Sequence, residues 1–164
     1  MVALKSRQLQ IRVTPAQKRA LQRLARAAGL DVSSYVLARA LPSGRARLDA
    51  VVRALGAGED PRFALAALSD LLAGWTPAEF SEHATHLDAR ALSPFLQNYV
   101  AAMVEHAAAR LGEPAPAWTR DVPPLDDPWF AAPLDRLRPY LVRVSPVAFR
   151  RRNLFVDATV GDRV

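Results

Sequence analysis

A short run of alternating residues near the N-terminus constrains what this chain can fold into more than any other feature. Residues 8–13 alternate between polar and apolar side chains, which is the pattern of a half-buried β-strand. The polar side chains on the outward face are Gln8, Gln10 and Arg12. A lone strand this short leaves its backbone edges unpaired, and no second strand candidate lies nearby in the sequence. The pattern therefore predicts pairing with the same strand of a second copy of the chain.

Two helices are predicted directly after this strand. Thr14 is a favourable N-cap residue, and Gln17 three positions later completes a capping box. Gly29 supplies the stop of the first helix. Asp31 then caps a second helix that is expected to end near Leu41, where a Pro-Ser-Gly sequence closes the unit.

The distribution of charge divides the chain. Residues 1–47 hold ten lysines and arginines against a single acid, Asp31, and so carry a formal charge of +9. Residues 48–164 carry −3, which brings the whole chain to +6. This division favours a head that binds a polyanion, joined to a body with another role. The alternative is a basic surface that only keeps the protein in solution.

The order of strand, capping box, glycine turn and second helix start resembles the ribbon-helix-helix DNA-binding family. Within that family it is most similar to the antitoxins of bacterial toxin–antitoxin operons. The resemblance covers about residues 5–42. It is carried by Arg12-Val13-Thr14-Pro15-x-Gln17-Lys18 and Ala27-Ala28-Gly29-Leu30-x-Val32-Ser33-x-Tyr35-Val36-Leu37.

The resemblance implies an intertwined homodimer that lays a two-stranded ribbon in the major groove of an operator. Glutamine and arginine tips on that ribbon match the donor and acceptor edges of adenine and guanine. The N-terminus of the second helix would hold a backbone phosphate. The implied DNA-binding residues are Gln8, Gln10 and Arg12 for bases, and Lys5, Arg7, Ser33 and Ser34 for phosphates.

Residues 44–112 are predicted to form a helical domain. The pattern indicates helices over about 45–56, from Pro61 to Gly74, from Thr76 onward, and over about 89–111 with Pro94 in its first turn or dividing it. Together with the N-terminal module this predicts a mostly α protein with one short strand.

Three histidines invite a metal-site hypothesis, which the spacing does not favour. His83, His86 and His106 lack the HExxH pattern, and the chain has no cysteine. We interpret them as polar residues on helix surfaces. No nucleophile motif, phosphate loop or paired-carboxylate pattern is present, so the sequence predicts neither an enzyme nor a cofactor.

Residues 113–164 differ in character. Seven prolines lie between Pro114 and Pro139, and tryptophans interrupt them, which is unlike a flexible linker. Either the segment wraps its own bundle or it wraps a partner. The Arg150–Arg152 run would neutralise an acidic partner, contact nucleic acid, or be a solvated run beside a buried edge at 154–156. The predicted partner-binding residues are Trp118, Trp129, Phe130, Arg150, Arg151 and Arg152.

The sequence thus predicts a head at 1–43, a helical domain at 44–112 and a partner-binding segment at 113–164. The function it favours is an autorepressing antitoxin that neutralises a nucleotidyltransferase-like or acetyltransferase-like toxin; the final segment resembles, more loosely, bacterial toxin-associated proteins. The alternative is a ligand-responsive ribbon-helix-helix regulator with a helical sensor domain. No apolar run is long enough for a membrane helix, so a cytoplasmic protein is expected.

Overall fold

The chain divides into two compact units, Met1–Ser43 and Gly44–Val164, in a computed structural model that describes residues 10–40, 44–58 and 60–158. The described part is mostly helical, as predicted. None of its helices combines the length and the apolar character needed to cross a membrane.

Unit 1 consists of two helices, α1 (Pro15–Ala27) and α2 (Val32–Ala40), which pack against each other. Of the predicted strand, residues 10–13 carry no strand structure in the single chain, and Gln8 lies outside the described residues. Since the strand was predicted to pair with a second copy, the ribbon-helix-helix arrangement stays a prediction. Leu41, near which α2 was predicted to end, also lies outside the described residues.

Unit 2 begins with three helices, α3 (Gly44–Gly56), α4 (Pro61–Gly74) and α5 (Pro77–Ala84). Gly44, the first residue of α3, lies close to His83: a Cβ at this position would be 2.3 Å from Cδ2 of that side chain. The predicted helix ends at Gly56, Pro61 and Gly74 are confirmed.

The central helix of unit 2 is α6 (Pro94–Leu111), which contacts α4, α5 and a short later helix at Val147–Arg150. Five consecutive residues, 100–104, are buried, so this helix is covered on all sides at its middle. The predicted start near Ala89 was too early. Ser93 caps the helix through a hydrogen bond from the amide of Leu96, and Pro94 occupies the first helical position.

The proline-rich segment folds onto these helices and belongs to unit 2. It contains a 3-10 helix (Ala117–Asp121), β1 (Trp129–Phe130), a second 3-10 helix (Asp135–Leu137), α7 (Arg138–Val144), α8 (Val147–Arg150) and β2 (Leu154–Phe155). β1 and β2 pair in parallel, with Trp129 opposite Leu154 and Phe130 opposite Phe155.

One hydrophobic core runs through unit 2. It joins the helices to the C-terminal segment, so residues 44–112 and 113–158 share it. Its principal side chains are Leu48, Val52, Leu55, Leu68, Leu71, Leu72, Phe80, Val100, Val104, Phe149, Leu154 and Val156.

Candidate nucleic-acid interface

The start of α1 is fixed by the capping box that the sequence predicts. The backbone N–H of Thr14 donates to Oε1 of Gln17 at 2.8 Å, and the backbone N–H of Gln17 donates to Oγ1 of Thr14 at 3.3 Å. Two of the unpaired amides at the helix start are thereby satisfied. The box sets where the helix begins relative to residues 10–13.

A Schellman turn connects α1 to α2. The amide of Leu30 donates to the carbonyl of Ala25 at 3.0 Å, and the amide of Gly29 donates to the carbonyl of Arg26 at 3.1 Å. Gly29 has a φ of +68°, which favours glycine. Asp31 then caps α2 by accepting the amide of Ser34 at 3.0 Å. The predicted glycine stop and aspartate cap are confirmed.

The predicted base-reading residues that the structure describes are exposed. Gln10 and Arg12 lie in the segment before α1 and point away from any core. Gln8, Lys5 and Arg7 lie outside the described residues. The described pair is therefore available to a ligand.

The residue that caps α2 affects the phosphate contact that was predicted at the N-terminus of this helix. Ser33 is exposed and Ser34 is half-buried in the first turn of the helix. Because the carboxylate of Asp31 already accepts the amide of Ser34, a phosphate at that amide would compete with a negative charge. Of the two serines, Ser33 is therefore the one that we expect to contact a phosphate, through its hydroxyl.

Unit 1 leaves most of its apolar surface uncovered. Among its side chains described here, only Ala25 is buried, whereas Ile11 is 61% exposed and Leu24 is 51% exposed. Contiguous uncovered apolar surface marks an interaction site in a soluble protein. The exposed large apolar residues of this unit are Ile11, Val13, Leu24, Leu30, Val32 and Leu37.

The same unit carries a dense positive surface. The exposed bases on and around α1 are Arg12, Lys18, Arg19, Arg23 and Arg26. On α2, the guanidinium of Arg39 lies 5.6 Å from the ring centre of Tyr35. With Asp31 as the only acid in residues 1–47, a phosphate backbone would meet little repulsion.

The predicted partner-binding tryptophans differ in their surroundings. Trp118 is half-buried against the helices of unit 2, and its Nε1 donates to the carbonyl of Ala84 at 2.9 Å. Trp129 is 37% exposed, and its ring packs against Phe95 with a centroid distance of 4.9 Å. Only the second of these residues presents a substantial surface to a partner.

The three consecutive arginines, residues 150–152, also differ in their exposure. Arg150 and Arg151 are exposed, whereas Arg152 is only 5% exposed and forms an ion pair with Glu105 at 2.6 Å. Arg152 also donates to Oδ1 of Asn98 and to the carbonyls of Thr119 and Val122. This side chain holds the proline-rich segment on α6, so the expected partner contact does not apply to it.

This buried network escaped sequence reasoning, although a signal for it exists. Asn98 and Glu105 are seven residues apart, so they share one face of α6. Two polar residues on a buried face need a polar partner. The partner was not identifiable because Arg152 follows much later in the sequence.

The histidines are not uniformly the surface residues that the sequence suggested. The side chain of His83 is only 12% exposed and packs against Trp75 with ring centroids 5.5 Å apart. His106 is half-buried beside Phe149, while His86 is exposed. In the described residues no group of three potential metal ligands comes together.

Comparison with known proteins gives a match to the N-terminal part of the chain. A family model described as NikA-like, mobilization protein NikA, matches residues 3–55, about a third of the chain. The matched stretch covers unit 1 from its third residue onward and nearly all of α3, and it contains eleven bases against two acids. No curated protein and no solved structure matched the chain significantly.

Proposed function

We propose that this chain binds duplex DNA through unit 1, as a homodimer, and that it acts in the mobilization of DNA. The observation that carries the proposal is the coincidence of three features in one stretch. Residues 3–55 match a mobilization protein family model, carry a net charge of +9, and include the uncovered apolar side chains of unit 1. Each feature has a separate role in such a protein.

The apolar side chains supply the dimer interface. A unit of about 40 residues seldom buries enough surface to be stable alone, and it usually gains the rest by association. If the segments around residues 10–13 pair with each other, Ile11 and Val13 turn to one side and meet the helices. Gln10 and Arg12 then turn to the other side, towards the bases.

The positive charge supplies affinity for the phosphate backbone. Contacts to phosphates position a protein on duplex DNA, while side chains in the groove select the sequence. In this proposal Arg12 selects the base sequence, and the arginines of α1 position the protein on the phosphate backbone. The two roles have different experimental signatures.

Substitution of Arg12 tests the proposal. A duplex target is first selected from a random library with the wild-type protein. Arg12→Ala is expected to weaken binding to it by about 1–3 kcal/mol and to relax preference at one base position. Arg23→Ala on α1 is the matched control, and it is expected to lower affinity for all duplexes alike. Unchanged affinity and preference in Arg12→Ala would refute base reading by this segment.

An antitoxin is the second candidate function, since the ribbon-helix-helix resemblance applies to both. The exposed Trp129 and the arginines Arg150 and Arg151 would then capture a toxin. The name of the matched family model favours mobilization over this role. A small toxin-like reading frame overlapping the gene, whose product co-purifies with this chain, would reverse the preference.

The regulator with a helical sensor domain requires an apolar ligand pocket in unit 2. A cavity there, lined by Leu72, Met103 and Phe149, has a volume of about 10 Å³. This is about the space of one water molecule, far below a drug-sized ligand site. This cavity therefore does not support the regulator hypothesis. A second, open cavity of unit 2 has a volume of about 410 Å³, but its lining includes the charged side chains Asp88, Arg90 and Asp121, so it is not the apolar pocket that the hypothesis requires.

A further inference from the structure

The C-terminal part of unit 2 reverses the charge of the part before it. Residues 113–128 contain four acids and one base, whereas residues 129–152 contain six arginines and one acid, Asp135. Arg152 is neutralised inside the fold by Glu105. The other five arginines are exposed. A region that is acidic up to residue 128 thus presents a positive surface immediately afterwards.

These arginines are carried by ordered elements that meet at one place. α7 and α8 both contact β2, and β2 pairs with β1. The guanidinium of Arg138 lies 5.1 Å from the ring centre of Phe130, and that ring stacks on Phe155 at 4.8 Å. Arg138 also pairs with Asp135 at 2.8 Å. The Arg138 side chain is therefore held in place on the surface, and Asp135 offsets part of its charge.

Aromatic rings lie among the arginines. The Trp129 ring contacts Phe95 and Tyr99, with centroids at 4.9 and 6.2 Å, yet more than a third of its side chain is exposed. Tyr140 is 45% exposed, and its hydroxyl hydrogen bonds to Asp157 at 3.3 Å. Both rings are oriented by intramolecular contacts, so a ligand that stacks on them would lose little side-chain entropy.

We infer that these side chains form a binding site for single-stranded DNA. We name it the arginine–aromatic surface, and it comprises Trp129, Arg138, Tyr140, Arg143, Arg150 and Arg151. Cations that follow a phosphate backbone and exposed rings that stack on bases are the two requirements of single-strand binding. Bases in a duplex are already stacked on each other, so exposed rings favour the unpaired strand. The choice of DNA over RNA rests on the proposed function.

Paired variants of the full-length chain test this inference, with fluorescent dT20, rU20 and the selected duplex as probes. Arg150→Gln/Arg151→Gln is expected to weaken dT20 binding about tenfold and to reduce the salt slope of log affinity by about 1.4. Arg110→Gln/Arg120→Gln is the matched control, because both residues are exposed in the same unit and lie outside residues 3–55 and outside the arginine–aromatic surface. It is expected to leave dT20 affinity unchanged, and both double variants are expected to remain folded.

Substitutions of Trp129 provide an independent test of the inferred site. Trp129→Ala is expected to weaken dT20 binding about tenfold, whereas Trp129→Phe keeps an aromatic face and loses less. Equal losses in the two variants, with intact circular dichroism, would contradict stacking. Quenching of wild-type tryptophan fluorescence by dT20, absent in Trp129→Phe, would support it.

The remaining outcomes separate this inference from the proposed function. If Arg12→Ala weakens duplex binding and spares dT20, the two sites are distinct, as inferred. Loss of dT20 binding in Arg12→Ala would assign the single strand to unit 1 and overturn the inference. So would rU20 binding as tight as dT20, or surface variants that alter only the sedimenting mass, which would indicate a protein interface. If the wild type binds dT20 through this surface but no duplex, the proposed function fails and the inference stands.

Discussion

α1 in unit 1 and α5 in unit 2 start with the same capping box. Thr14 pairs with Gln17 in one, and Thr76 pairs with Glu79 in the other. Behind the second box, Phe80 and Ala84 enter a continuous core. The 13 residues of α1 bury only Ala25. Local sequence therefore defines a helix equally well in both units, while burial differs between them.

The comparison indicates that the two units obtain stability from different sources. Unit 2 buries a continuous apolar core within one chain, and this core reaches into the proline-rich segment, although Phe63, Leu134 and Val147 stay exposed. Unit 1 leaves its large apolar side chains exposed, and a second chain would cover them. Substitutions in unit 2 should thus change the free energy of unfolding, and those in unit 1 should change the dissociation constant of the dimer.

The largest effect is expected at the buried ion pair of unit 2. Arg152→Ala leaves Glu105 and Asn98 without their partner and should lower the free energy of unfolding by about 3–5 kcal/mol. Urea denaturation followed by tryptophan fluorescence measures it. Arg151→Ala, one residue earlier and exposed, should change stability by less than about 0.5 kcal/mol. Similar losses in the two variants would contradict the division within the triple arginine.

An intermediate effect is expected at the uncovered surface of unit 1. Leu24→Asp places a charge where a second chain should pack, so the dissociation constant of the dimer should rise by at least about 100-fold. Light scattering behind a sizing column measures the mass, and duplex affinity should fall with it. Leu134→Asp is the matched control, with 47% exposure against 51% for Leu24. Dimer loss in the control would move the interface to unit 2.

The smallest expected effect is a difference between the two capping boxes in how their contribution to stability depends on pH. The pKa of Glu79 is held below its ordinary value of 4.5, mainly because its carboxylate accepts the backbone N–H of Thr76. A lowered folded pKa gives stability that is present above about pH 4.5 and is lost as the pH falls through the folded pKa. The contribution is small because Glu79 is exposed. Gln17 does not titrate, so the box of α1 should keep its strength in acid.

Glu79→Gln checks this directly. The variant keeps the hydrogen-bonding geometry but cannot titrate, so its stability should fall less than that of the wild type between pH 6 and pH 3, by about a few tenths of a kcal/mol. Identical pH profiles of unfolding for the two proteins would show that the Thr76 contacts do not shift the titration.

The helix starts and stops were predictable from sequence because they depend on residues at most a few positions apart. Thr14, Asp31, Gly29 and Thr76 each act through contacts within a turn of helix. The start of α6 was misplaced because its apolar pattern extends back to Ala89, while Ser93 and Pro94 set the actual boundary.

The parallel pairing of β1 with β2 and the Arg152 network were not predictable. Trp129 pairs with Leu154, and Arg152 reaches Glu105 across 47 residues, so neither contact has a local signal. Asn153, at a φ of 57°, turns the chain into β2 while its side chain donates to Leu125. Of the candidate DNA site, Gln10 and Arg12 are exposed as the alternating pattern predicts, but Ile11 and Val13 are exposed as well, so the assignment of the two faces stays a prediction. The competition between Asp31 and a phosphate at Ser34 required the structure.

The dependence of unit 1 on a second chain is most directly tested by sedimentation equilibrium of the full-length protein without DNA at micromolar concentration. A mass of twice 17.9 kDa is predicted for the wild type. A mass of 17.9 kDa at every concentration measured, with the apolar side chains around Leu24 still uncovered, would contradict it.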